Sequence, residues 1–249
     1  MKTNYHTEFY QTNADVSRSS AVAVLSAILE IHKATSLLDV GCGIGTWGKA
    51  AKSLGFVRYQ GIDGEYVPRD QLMIDADEFR AHNLRKPLQL HESYDLAICM
   101  EVGEHLPTDA ATILVQSLCA HSPVVVFSAA IPRQGGVEHI NEQWQSYWAN
   151  LFAKQGYAVY DCVRPRVWEL ETVAEYYRQN TLVYVKRENQ TVISLFEMDA
   201  LKRSPVLDIV HPASYGMKAD PLRWPLAEIF KSLPRILWRV MRNRVLPRR

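Results

Sequence analysis

The segment Leu37-Leu38-Asp39-Val40-Gly41-Cys42-Gly43-Ile44-Gly45 constrains this chain more than any other. A short apolar strand runs without a spacer into three glycines at alternate positions, and a helix-compatible stretch, Thr46 to Leu54, follows at once. Glycine belongs where φ must be positive or where backbone must approach a neighbour closely. Strand, glycine turn and helix form the first unit of a doubly wound α/β sheet, whose ligands sit at the carboxyl ends of the strands. The alternation continues along the chain. Apolar periodicity predicts a helix over Val16–His32, capped by Asp15 or Ser17, before that first strand. Further strands are expected at Arg58–Asp63, Phe79–His82, Tyr94–Met100, Val124–Phe127, Tyr157–Val163 and Thr181–Val185, with helices over Thr108–Ala120 and Asn141–Gln155.

With 249 residues, 47% of them apolar and 22% charged, the chain has enough material for one substantial domain with appendages. That balance excludes a disordered tail, a collagen or a disulfide miniprotein. The expected organisation is a helical lead-in over 1–35, the sheet domain over 36–188 and a Pro-punctuated helical extension over 189–249. Four scattered cysteines, Cys42, Cys99, Cys119 and Cys162, form no Cys-x-x-Cys pair and suit a reducing compartment. There is no leader-like start and no apolar run of about 18 residues, so the expectation is a cytoplasmic protein, at most peripheral on the membrane face.

The acids around the glycine turn narrow the ligand. The Gly41-x-Gly43-x-Gly45 spacing departs from the Gly-x-Gly-x-x-Gly that seats a dinucleotide pyrophosphate. Asp39, two residues earlier, suits a cationic ammonium better than a phosphate, and Asp63, at the end of the second strand, can accept from both hydroxyls of a ribose. A ribose joined to a cationic amino acid describes S-adenosylmethionine. Leu-Leu-Asp-Val-Gly-Cys-Gly-Ile-Gly-Thr, Gly-Ile-Asp and Tyr-Asp-Leu-Ala-Ile-Cys-Met-Glu-Val-Gly-Glu-His-Leu-Pro, in that order, resemble the class I S-adenosylmethionine-dependent methyltransferases over roughly residues 16–187. The resemblance implies a Rossmann-like, seven-stranded sheet with an antiparallel last strand. It places Gly41, Cys42, Gly43 and Gly45 against the methionine part, Asp63 on the ribose and Glu101 at the cofactor's edge. Many relatives carry an Asp for the adenine where this chain has His82-Asn83-Leu84, which leaves Asn83 as the adenine contact. Capping of the turns is the structural alternative for Asp39 and Asp63.

A second cluster follows the fourth strand. In Glu101-Val-Gly-Glu104-His105-Leu106-Pro107, residues i, i+3 and i+4 share one face if the segment is helical, so Glu101, Glu104 and His105 converge. His139, in the loop after the fifth strand, supplies a fourth ligand. This mixed oxygen and nitrogen set suits Mn²⁺, Fe²⁺, Co²⁺ or Zn²⁺, with Mg²⁺ through waters. The spacing is similar to that of small-RNA 2′-O-methyltransferases and of quinone-pathway O-methyltransferases. In the RNA enzymes, Glu-x-x-Glu-His and a later His hold a divalent ion against a vicinal diol. Two other readings stand beside metal ligation: His105 or His139 as a metal-free general base, and acids that merely favour a helix start.

The acceptor is less determined. A small or saccharide-like hydroxyl compound in glycan assembly is the first expectation, and an RNA-end ribose, a quinone or a non-catalytic scaffold are the alternatives. Arg133, Arg164, Arg166, Tyr176, Tyr177 and Arg178 come from late loops that could meet an anionic acceptor, while Trp144, Tyr147, Trp148, Leu151 and Phe152 read as the core face of a helix. The net charge of +1 conceals a division. Residues 222–249 hold eight Arg or Lys against Glu228 alone, a balance of +7, which leaves −6 on the rest. In that tail Leu226, Ile229, Phe230, Leu233, Ile236, Leu237, Val240 and Met241 recur at helical spacing opposite Lys231, Arg235, Arg239 and Arg242, with Pro234 as a kink. An anionic membrane surface, the chain's own domain or a second subunit in a homodimer can take such a face. Nucleic acid fits less well, because the acidic body offers no continuous basic groove.

Overall fold

The computed structural model describes residues 7–199 and 206–219, together with 230, 233, 234, 237 and 238. The chain divides into two compact units, Met1–Ile209 and Val210–Arg249. The first is built on seven strands: β1 Ser36–Val40, β2 Arg58–Asp63, β3 Phe79–Ala81, β4 Leu96–Met100, β5 Val124–Ser128, β6 Tyr157–Tyr160 and β7 Leu182–Lys186. Their spatial order is β3-β2-β1-β4-β5-β7-β6, with β7 antiparallel to both neighbours and the pairs from β3 to β5 parallel. This is the doubly wound sheet that the alternation predicts, with the antiparallel last strand that the resemblance implies. Strands β1, β4 and β5 are buried along their whole length, which is why they read as mainly apolar runs rather than alternating ones. The chain order reverses between β1 and β4, so their carboxyl ends flank the crevice in which ligands of such sheets bind.

The helices are α1 Thr7–Leu29, α2 Thr46–Ser53, α3 Thr108–His121, α4 Gln145–Lys154, α5 Arg164–Val167, α6 Glu175–Asn180, α7 Gln190–Met198 and, in the second unit, α8 Pro212–Ala219. Helix α1 begins nine residues before Val16, so Asp15 and Ser17 lie inside it rather than at its cap. It is not a detached lead-in. Its Ser19 hydroxyl donates to the Thr172 carbonyl at 2.6 Å, and its Ser20 hydroxyl accepts from the Ala174 N–H at 3.0 Å. Helix α4 starts at Gln145 rather than Asn141, because the buried Asn141 side chain is occupied as a loop anchor, accepting from the Thr108 hydroxyl and donating to the Gly103 carbonyl. Trp148 and Phe152 of α4 do enter the core, where Phe152 stacks on Tyr184 at 3.8 Å, but Trp144 is exposed.

The sheet ends at Lys186, close to the expected boundary at 188, whereas the compact unit runs on to Ile209. Phe196 of α7 is fully buried beside Tyr160 and His32. The Asp208 carboxylate accepts from the N–H and hydroxyl of Ser146. Arg164, only 1% exposed, forms a bidentate pair with Asp161 and donates to the Leu207 carbonyl at 2.9 Å. Arg166 is tied to Asp199 and Glu30. Neither arginine is available to an anionic acceptor, contrary to the sequence expectation; Arg164 is spent on Asp161 and Leu207, and Arg166 on Asp199 and Glu30.

Candidate active site

The carboxyl end of β1 delivers the glycine turn. Gly41, Gly43 and Gly45 all have positive φ, at 85°, 53° and 86°. A Cβ on Gly41 would lie 2.2 Å from Val102 Cγ2, so this residue meets both reasons for glycine at once. The turn is pinned to β2: the Gly41 N–H donates to the Ile62 carbonyl at 2.7 Å, and the Gly43 N–H donates to Asp63 Oδ2 at 2.7 Å. The other Asp63 oxygen accepts from the Gly64 N–H at 2.6 Å and from the Tyr66 hydroxyl at 2.5 Å. Burial raises the Asp63 carboxyl and these three donors pull it back down.

Asp39 lies within β1, buried, with its carboxylate accepting from the Tyr59 hydroxyl at 2.8 Å. Burial pushes its carboxyl up to about 7, against the lowering effect of that hydrogen bond, and the charge on Asp63 adds to the rise. Cys42 is buried and its thiol is raised, which makes it a packing residue of the turn rather than a nucleophile. Asn83 is exposed, and its side-chain oxygen accepts from the Arg85 N–H at 3.1 Å. The acceptor atom expected to meet adenine thus closes the residue's own turn.

Across the crevice, β4 ends at Met100 and the chain turns sharply. Glu101 has φ 55°, and a 3₁₀ turn covers only Gly103–His105. Helical geometry therefore does not extend back to residue 101. The four expected ligands separate accordingly: one donor atom each from Glu104, His105 and His139 lies within 4.8 Å of the others, while Glu101 stands outside this group. Its two carboxylate oxygens instead accept from the side-chain amides of Gln134 at 3.0 Å and Asn180 at 3.2 Å. Gln134 and Asn180 are joined in turn at 2.9 Å. Sequence reasoning missed this amide wall, since isolated Gln and Asn residues in separate loops carry no spacing signal.

Glu104 is fully buried, and no donor lies at hydrogen-bonding geometry to either carboxylate oxygen. Burial first, then the neighbouring charge of Glu101, raises its carboxyl well above the ordinary range, against the lowering effect of the nearby Glu104 and Ala130 backbone N–H groups. A buried carboxylate without donors is costly. His105 and His139 meet edge to face at 4.8 Å between ring centres. Burial and the second imidazole lower His105 to about 4, so it is neutral at physiological pH. His139 Nδ1 lies 3.2 Å from Glu142 Oε1, and the same carboxylate accepts from the Arg133 and Gly135 N–H groups at 2.6 Å each. Glu142 thereby closes the 133–142 loop and orients His139, a role no spacing announced. The three non-glycine residues with positive φ among the described residues, Glu101, Arg133 and Glu138, all lie around this cluster.

The donor chemistry fits a divalent cation: one carboxylate that lacks protein donors and two imidazoles, one held neutral and the other oriented by a carboxylate, as metal-bound histidines commonly are. The geometry thus provides a ribose-type acid beside a glycine turn on one side of the β1–β4 crevice. A mixed oxygen and nitrogen cluster occupies the other.

Comparison with known proteins agrees with this architecture. Residues 10–203 match the Methyltransferase domain family. No curated protein matches the chain at the sequence level. Among solved structures, the chain is similar to magnesium protoporphyrin IX methyltransferase from Synechocystis with bound S-adenosylhomocysteine, at 19% identity and TM-score 0.53, over 75% of this chain and 89% of that one. It is also similar to DesVI of Streptomyces venezuelae, at 18% identity and TM-score 0.52, over 73% and 98% of the two chains. The methyltransferase domain of a bacterial Hen1 aligns at 19% identity and TM-score 0.50, over 68% and 97%. At these identities the likeness is one of fold, and the family match covers most of the chain. The chain belongs to the Methyltransferase domain family and is a class I S-adenosylmethionine-dependent methyltransferase.

Proposed function

We propose that the enzyme transfers the methyl group to a hydroxyl oxygen of a small or saccharide-like acceptor, held beside Glu104, His105 and His139 with the help of a divalent cation. The observation that carries this reading is Glu104: a fully buried carboxylate whose oxygens meet no hydrogen-bond partner at full geometry, eased only by the nearby backbone N–H groups of Glu104 and Ala130, and set against two imidazoles. A divalent ion bound there supplies Lewis acidity that lowers the pKa of an acceptor hydroxyl, which is otherwise a poor nucleophile. Mn²⁺, Fe²⁺, Co²⁺ or Zn²⁺ suit the mixed donor set, and Mg²⁺ binds with waters.

The remaining work falls to the chain's own residues. Asp63 accepts from the ribose hydroxyls of S-adenosylmethionine, the glycine turn admits its methionine part, and Asp39 favours its ammonium. His139, with Nδ1 directed to Glu142, would present Nε2 to the cation, and the hydroxyl, acidified there, would give its proton to solvent water. The acceptor oxygen then attacks the methyl carbon in line, the carbon–sulfur bond breaks, and S-adenosylhomocysteine leaves. Glu101, fixed by Gln134 and Asn180, forms the wall between cofactor and acceptor.

Solved neighbours act on acceptors as different as a magnesium porphyrin and a plantazolicin analogue, so the choice of acceptor lies in these loops rather than in the sheet. The test does not require the acceptor. Mn²⁺ titration followed by electron paramagnetic resonance is expected to show one site per chain. Glu104→Gln should weaken it at least tenfold while leaving S-adenosylhomocysteine affinity unchanged. Absence of Mn²⁺ binding, or full methyl transfer in excess chelator, overturns the metal-assisted reading.

A further inference from the structure

The acids that line the crevice have no cation of the chain's own. Asp39, Asp63 and Glu104 are buried and Glu101 is half-buried. Among the described residues, no Lys or Arg forms an ion pair with any of these four. Burying a charge is costly unless it is paired. Asp63 has three donors, Asp39 has the Tyr59 hydroxyl, and Glu104 stands against two imidazoles. Glu101 is held differently, by amides.

The hydrogen bonds around Glu101 suit a carboxylate and not a carboxylic acid. The Ile131 N–H donates to Gln134 Oε1 at 3.2 Å, which identifies that end of the amide as its oxygen. Gln134 Nε2 accordingly donates to Glu101 Oε2 at 3.0 Å. Asn180 Nδ2 donates to Gln134 Oε1 at 2.9 Å and to Glu101 Oε1 at 3.2 Å, while the Asn180 oxygen is turned to Gln179 Nε2 at 2.9 Å. Both amide groups bonded to Glu101 are therefore donors, and a protonated carboxyl would set its O–H against one of them. Burial raises the Glu101 carboxyl, and the Asn180 and Gln134 donors oppose the rise. Neutral donors orient a negative charge without cancelling it. The two amides also fill only part of the about four lone-pair positions of a carboxylate, on a side chain that keeps an open side. Glu101 directly follows β4 at the crevice, and Val102 beside it packs on Gly41 of the glycine turn. A cation on the methyl donor is what this arrangement lacks.

We propose that Glu101, fixed by Gln134 and Asn180, is the counter-charge to the cofactor's sulfonium, so that the enzyme binds S-adenosylmethionine more tightly than the S-adenosylhomocysteine it releases. The inference rests on the placement of the cofactor in the β1–β4 crevice with Asp63 on the ribose. The two cofactor forms share adenine, ribose and the amino-acid end, and they differ by one methyl group and one positive charge. Their affinity ratio isolates the sulfonium from the ammonium that Asp39 favours. When the methyl group is transferred, the carbon–sulfur bonding pair stays on sulfur and the charge there vanishes. Glu101 then loses its partner just as the product must leave.

The experiment is titration calorimetry of both forms on the full chain. The wild type should prefer S-adenosylmethionine by about tenfold, between the bulk-water and near-surface strengths of one charge pair at contact. Glu101→Gln should abolish the preference while affinity for S-adenosylhomocysteine stays unchanged. Glu101→Asp keeps the charge at a positive φ that Asp tolerates well, and should retain a preference in the same direction. Gln134→Met keeps the charge but loosens its hold, and should shrink the preference without abolishing it. Equal wild-type affinities for the two forms would overturn the proposal, as would a preference that Glu101→Gln leaves intact or a Glu101→Gln loss shared equally by both forms. Asp63→Ala, by contrast, should weaken both forms by the same factor; if it weakens neither, the ribose placement is what fails.

Discussion

On the proposed ribose assignment of Asp63, Tyr66 occupies a place that the cofactor needs. Its hydroxyl donates to Asp63 Oδ1 at 2.5 Å, on a carboxylate that already accepts from the N–H groups of Gly43 and Gly64. A carboxylate offers about four lone-pair positions, so a ribose bringing two hydroxyl donors must displace one of the three present. The two N–H groups belong to the backbone of the turns; Tyr66 is an exposed side chain and is the one that can leave. Hydrogen bonds to charged groups contribute about 1.5–3 kcal/mol net, and water satisfies part of that loss at an exposed hydroxyl. Tyr66→Phe is therefore expected to tighten S-adenosylhomocysteine binding by about 1–2 kcal/mol, roughly five- to thirty-fold, in titration calorimetry. Gly64→Ala reaches the same state by another route. A Cβ on residue 64 would lie 2.1 Å from Tyr66 Cε1 and 2.5 Å from Cδ1, which forces the ring away. Its gain should match that of Tyr66→Phe, and the double variant should gain no more than either alone. Weaker binding by Tyr66→Phe would refute this account, because the hydroxyl would then be a partner of the cofactor and not its stand-in.

Asp63→Ala removes the acceptor itself and should weaken S-adenosylhomocysteine binding by about 2–4 kcal/mol; unchanged calorimetric affinity would withdraw the ribose assignment. Asp39→Asn tests the cost of burial at the opening motif. With the folded carboxyl at about 7 against the ordinary 3.8, the folded wild type holds a proton that the unfolded chain has released, so wild-type stability falls as pH rises between those values. The variant escapes this loss, and the gap in urea melts without cofactor should open above pH 3.8 and level off above about 7, approaching roughly 4 kcal/mol; a gap independent of pH refutes it. Arg164→Ala leaves Asp161 buried and unpaired and should cost about 3–5 kcal/mol, whereas Arg164→Met combined with Asp161→Leu should recover most of that loss in the same melts.

Periodicity made the sheet legible because β1, β4 and β5 are buried on both faces and are mostly apolar, with the buried Asp39 of β1 the exception that the site explains. The glycine turn was legible because left-handed backbone and close approach both require glycine at Gly41. Helical spacing misled at Glu101, where one residue at φ 55° breaks the face that residues 101, 104 and 105 would otherwise share. It misled again at Asn141 and Trp144, which look like the first turn of an amphipathic helix but serve as a buried loop anchor and an exposed cap position. Gln134 and Asn180 act through contacts across 33 to 79 positions of sequence, and local patterns do not encode such pairings. The tail's apolar and basic stripes were plain in the sequence; most of its residues lie outside those the structure describes.

One contact joins the two halves of the site. Val102, between Glu101 and the turn that carries Glu104 and His105, packs so closely on Gly41 that no side chain fits there. On its other side, Trp148 presses on Gly103, where a Cβ would lie 2.6 Å from the indole ring. The turn is thus clamped between the cofactor loop and the core helix α4, and neither can move without displacing Glu104. Methyl transfer demands an in-line approach over a few ångströms, and misplacement by about 1 Å costs on the order of a hundred-fold in rate. A glycine that the cofactor loop requires for its own φ therefore also fixes the distance from methyl donor to acceptor. This double duty couples the glycine turn directly to the turn that carries Glu104 and His105, through the packing of Val102 on Gly41.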